Sequence, residues 1–89
     1  MNDKTKIYLD KVIEFMVEDT IVDNVEERVI FPFYEQQSHI WLVMDFRRPP
    51  LPFIQYCKDM WGLTKNEIEY VWEPYRNIIQ NKKDPRFRP

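Results

Sequence analysis

The chain has 89 residues, with 13 Lys and Arg against 15 Asp and Glu and a formal net charge of -2 at pH 7. That length is near the lower end of domain size, so one core is expected over residues 1–80, followed by a basic tail over 81–89 that carries Lys82, Lys83, Arg86 and Arg88. Charged residues break every apolar run well short of the roughly 18 to 20 residues a membrane-spanning helix needs, and a chain with one glycine has no room for the glycine-rich phosphate loops of nucleotide-binding enzymes.

The first predicted element is an amphipathic helix between about Asp3 and Glu18. Leu9, Val12, Ile13 and Met16 recur at three- and four-residue spacing, while Asp10, Lys11, Glu14 and Glu18 take the other side. Tyr8 and Phe15 widen the apolar side, and Asp3 is placed to cap the free amides at the start. Thr20 to Glu27 reads as loop or turn, because Thr20, Ile21 and Val22 favour extended backbone whereas Asp23 followed by Glu26 has capping-box spacing.

Arg28 to Tyr34 and His39 to Phe46 are rich in β-branched and aromatic residues, and Glu35 to Ser38 between them can turn the chain, which predicts a β-hairpin. Pro32 lacks the amide hydrogen a central strand donates, so the first strand belongs at a sheet edge. Two strands alone are marginal in water and need helices packed on them or strands from a second chain.

Arg47, Arg48, Pro49, Pro50, Leu51 and Pro52 then form a rigid corner, since proline holds itself and its predecessor extended. Pro49 and Pro52 also have the spacing of a polyproline ligand, but Pro52 suits the first turn of a helix that carries Phe53, Tyr56, Cys57, Met60 and Trp61 on one side. Gly62 marks its end, where a positive φ is commonly required. Thr64 and Glu67 form a capping box for the last helix. Its inward stripe is Ile68, Val71 and Trp72, continued by Tyr75, Ile78 and Ile79 beyond a kink or a fresh turn at Pro74, with fraying after Gln80. The fold class is α+β: N-terminal amphipathic helix, β-hairpin, proline-rich corner and two C-terminal helices.

Around Gly62 the spacing resembles a helix-turn-helix over about 20 residues. Gly62 stands in the turn between Trp61 and Leu63, and Cys57, Ile68 and Val71 fall where that motif places apolar residues. The resemblance implies a second helix able to lie in the DNA major groove. The chain departs from it at Lys58, where the motif has a small residue, and the would-be reading helix offers Glu67, Glu69 and Glu73 against Lys65 alone before Pro74.

No catalytic constellation stands out. His39 is the only histidine, so a His/Cys metal site lacks ligands, and Cys57 lies on the apolar side of its helix, where a thiol is inert. Asp19, Asp23, Glu26 and Glu27 cluster without the alternate spacing and glycine of a calcium loop. No cofactor is implied. An enzyme would need a cleft joining groups as distant as His39, Asp45 and Cys57. With one cysteine and no secretory pattern, a cytoplasmic location is expected.

The three Trp, five Tyr and six Phe exceed what a core of this size hides, and such a surplus suits a binding surface. The favoured function is therefore a protein–protein interaction module or a subunit of an assembly, through another protein or through self-association, with Tyr34, Trp41 and Trp72 as interface candidates. The alternative is contact with nucleic acid or an acidic partner through Arg47, Arg48, Arg76, Lys82, Lys83, Arg86 and Arg88.

Overall fold

A computed structural model of the chain describes residues 2–33 and 47–83. The elements in chain order are α1 (Asp3–Glu18), β1 (Ile21–Asp23), β2 (Arg28–Ile30), α2 (Leu51–Trp61) and α3 (Lys65–Lys82). The α+β class holds, with helices dominating the described residues.

Helix α1 buries Leu9, Val12, Ile13 and Met16, the stripe its periodicity marks. Its N-cap is Asn2 rather than Asp3: Asn2 Oδ1 accepts from the Thr5 amide at 2.8 Å, and Asp3 occupies the first turn, where a negative charge suits the exposed amide dipoles.

The hairpin differs from expectation. The partner of the strand at Arg28 is the segment just before it, with Ile21 opposite Ile30 and Asp23 opposite Arg28, so Thr20–Glu27 contains a strand and a tight turn rather than loop alone. The Asp23 carboxylate organises that turn. Oδ1 accepts from the amides of Val25 and Glu26 at 3.1 Å each, and Oδ2 meets Arg28 Nε at 3.3 Å. Glu27 closes the turn with φ at 55°, a left-handed conformation common where a short hairpin loop must match the strand twist. β2 ends at Ile30, ahead of Pro32, and the expected strand His39–Phe46 lies outside the described residues.

Helix α2 starts with Leu51 and Pro52 after Pro50, in keeping with proline's fit to a first turn. It stops at Gly62, whose φ is 64°; the Gly62 amide returns to Lys58 O at 3.1 Å and the Leu63 amide to Cys57 O at 3.2 Å. The Thr64–Glu67 capping box forms in both directions. α3 runs through Pro74 as one helix to Lys82, two residues past the expected fraying point. Asn24 Nδ2 donates to Lys82 O at 3.1 Å, so the hairpin turn holds a carbonyl that the helix end leaves free.

The core gathers Leu9, Val12, Ile13 and Met16 of α1, Val29 and Phe31, Phe53 and Cys57 of α2, Leu63, and Ile68, Val71, Trp72, Tyr75 and Ile79 of α3. Its centre is aromatic. Phe53 lies edge-on to Trp72 at 4.8 Å and stacks on Tyr75 at 5.6 Å. Ile78, expected on this face, is partly exposed instead and borders a surface groove with Ile13, Glu14, Val17 and Glu18 of α1. One polar pair enters the core: Thr20 Oγ1 donates to Met16 O and lies 2.6 Å from the Tyr75 hydroxyl, joining the end of α1 to α3.

Candidate functional site

Tyr8 and Phe15 lie seven residues apart on α1, two turns along one flank of the helix. The core stripe is filled by Leu9, Val12, Ile13 and Met16, and among the described residues this flank meets the C-terminal end of α2. There the Tyr8 hydroxyl donates to Trp61 O at 3.0 Å, satisfying a carbonyl that the helix end would otherwise leave to water. The Phe15 ring lies 5.7 Å from the Trp61 ring, tilted by 33°. The Trp61 indole Nε1 is buried beside the Tyr56 hydroxyl, where it offsets part of the upward shift that burial gives that phenol.

These contacts leave much of the rings in water. Phe15 is 53% exposed and Tyr8 43%, and Met60, next to Trp61, is 63% exposed. Tyr8, Phe15 and Trp61 thus form an aromatic ridge where α1 meets the end of α2, with exposed Met60 next to Trp61 in sequence. Aromatic rings and methionine are the side chains enriched at protein interfaces. Met60, expected on the inward side of α2, is exposed. The helical wheel shows Tyr8 and Phe15 beside the core stripe, but not that α2 would reach only part of them.

Of the sequence-based interface candidates, Trp72 lies among the described residues. Trp72 is 1% exposed and sits between Phe53 and Tyr75, so it is a core residue and not an interface residue. Tyr34 and Trp41 lie outside the described residues. Among the basic candidates, Arg47 and Arg48 are exposed just before α2, Arg76 is half-buried within α3, and Lys82 is exposed at its end. Lys83 is buried, so it adds nothing to a basic surface; Arg86 and Arg88 lie outside the described residues. Glu69, Glu73 and Tyr70 share the exposed side of α3, and Glu67 is engaged in the capping box.

Cys57 is fully buried, and burial pushes its thiol up to about 12, so it stays protonated at neutral pH. His39 and Asp45 lie outside the described residues. The Asp23 carboxylate is occupied by its own turn and by Arg28, and no group of three His, Cys, Asp or Glu suited to a metal ion occurs among the described residues. Among those residues, no helix is long and apolar enough to cross a membrane.

Helices α2 and α3 are joined through the turn at Gly62, and Lys58, where a helix-turn-helix has a small residue, is exposed. An open groove of about 310 Å³ remains, lined by Leu51, Ile54 and Ile68 with Lys58, Lys65 and Glu69. Compared with known proteins, the chain matches no family model, no curated protein and no solved structure.

Proposed function

We propose that this chain is a non-enzymatic docking module that binds a protein partner through the ridge of Tyr8, Phe15 and Trp61. The observation that carries the proposal is the half-exposed Phe15 ring, held in place against Trp61 while its outer part stays in water. A preorganised aromatic ring loses little further freedom on binding and offers a large apolar area, the usual profile of an interface anchor. The acidic outer side of α3 opposes phosphate backbones, whose neutralisation supplies most nucleic-acid affinity, so the partner class supported here is protein.

The test is site-specific photo-crosslinking in cells that make the protein, with a photoreactive phenylalanine analogue at Phe15 and, as control, at Glu73 on the acidic side of α3. The expected result is a discrete protein adduct from position 15 and none from position 73. Equal adducts from both positions, or none from position 15, would refute the proposal.

A further inference from the structure

The groove between α2 and α3 is a second surface, and its chemistry is specific. Leu51 and Ile54 from α2 and Ile68 from α3 make an apolar lining, and Lys58, Lys65 and Glu69 are exposed around it. None of these three charged groups forms an ion pair among the described residues. The groove therefore offers an apolar slot flanked by two cations and one anion, all with free hydrogen-bonding capacity.

The flank of α1 that carries Phe15 offers the opposite set. Phe15 projects with Glu18 and Asp19 one turn after it and Lys11 one turn before it, all exposed and likewise without ion pairs. An apolar anchor flanked by two anions and one cation complements a slot flanked by two cations and one anion. We infer that the groove receives the Phe15 side of α1 from a second copy of this chain, with Glu18 and Asp19 against Lys58 and Lys65 and with Lys11 towards Glu69. Helix-in-groove docking uses this division of labour: apolar anchors enter the slot and charges at the rim set orientation and exclude other partners. The groove is too open to enclose a small ligand, which a binding pocket surrounds over most of its surface. This inference rests on the reading of Phe15 as a docking residue and adds that its partner is the same protein.

The experiment is sedimentation equilibrium of the full chain at 50 and 300 mM salt, with two charge-reversed variants. One carries Lys58→Glu and Lys65→Glu, the other Glu18→Lys and Asp19→Lys; all four positions are exposed, and circular dichroism verifies that each variant folds. The expected result is concentration-dependent association of the unmodified chain that weakens with salt. Each variant alone should associate on the order of tenfold more weakly or worse, and an equimolar mixture of the two should recover association. In a single chain, the groove reversal combined with Glu18→Lys and Asp19→Lys should associate, whereas the groove reversal combined with Glu26→Lys and Glu73→Lys, of equal net charge, should not.

Three results overturn the inference: a monomeric unmodified chain up to about 1 mM, variants that associate as the unmodified chain does, or the control combination associating as strongly as the matched one. A monomeric chain that still crosslinks from position 15 to a different protein overturns self-association alone. Absence of both signals overturns the docking role of Phe15 as well.

Discussion

The buried pair of Thr20 and Tyr75 permits a prediction whose sign and order follow from counting hydrogens. Thr20 has one hydroxyl hydrogen, and it is given to Met16 O at 2.6 Å; the 2.6 Å contact with Tyr75 must therefore use the Tyr75 hydrogen, with Thr20 Oγ1 accepting. Burial raises the Tyr75 phenol above its ordinary value, so that hydrogen is present at every ordinary pH. Tyr75→Phe removes one net hydrogen bond and leaves Thr20 still donating, a loss of about 0.5 to 1.5 kcal/mol.

Thr20→Val keeps the shape but strands the phenol O–H where Tyr75 is 0% exposed, and it also removes the bond to Met16, for about 2 to 3 kcal/mol. The double variant no longer has a stranded donor, so it should cost about 1 kcal/mol less than the sum of the single changes. Urea unfolding followed by circular dichroism at constant m-value measures all three. In a domain of this size each kcal/mol moves the thermal midpoint by about 4 to 8 °C, which gives an independent reading. If Tyr75→Phe proves as costly as Thr20→Val, or if the two costs add, the assignment of donor and acceptor is wrong.

Three further outcomes follow from the same structure. Trp72→Ala should cost about 3 to 5 kcal/mol and Phe15→Ala about 1 kcal/mol, because Phe15 keeps half its surface in water; equal losses in denaturant melts would place Phe15 in the core. Gly62→Ala should cost about 1 to 2 kcal/mol through backbone strain alone, since an added Cβ meets nothing within 4 Å; a cost under about 0.3 kcal/mol would show that the positive φ is not required. The amide of Glu26, first among several contacts, holds the Asp23 carboxyl below its ordinary 3.8. The carboxylate's contribution to stability is therefore fully present only well above the ordinary 3.8 and is lost as pH falls through the lowered value, so the stability gap between the unmodified chain and Asp23→Ala should narrow as pH falls from about 5. A gap that stays constant as pH falls would contradict the carboxylate's role in the turn.

The features legible in the sequence are those settled within one or two turns of chain. The α1 stripe, the stop at Gly62 and the Thr64–Glu67 capping box depend on spacings of three to six residues, and each appears where the residues place it. The hairpin was harder to read because Asp23 serves two local structures. Its spacing to Glu26 suits a helical cap, yet the same side-chain bonds to the amides of Val25 and Glu26 close a β-turn once Ile21 and Val22 pair with Val29 and Ile30.

The aromatic residues mark where sequence reading ended. Composition showed that aromatic rings must supply much of a small core, and periodicity showed which helix sides are apolar. Only the tertiary structure decided which rings are covered. Trp72 disappears because Phe53 and Tyr75 close over it, whereas Phe15, beside Trp61 at the end of α2, stays half in water. Burial is a sum over neighbours dozens of residues away, and no spacing along a single helix contains that sum.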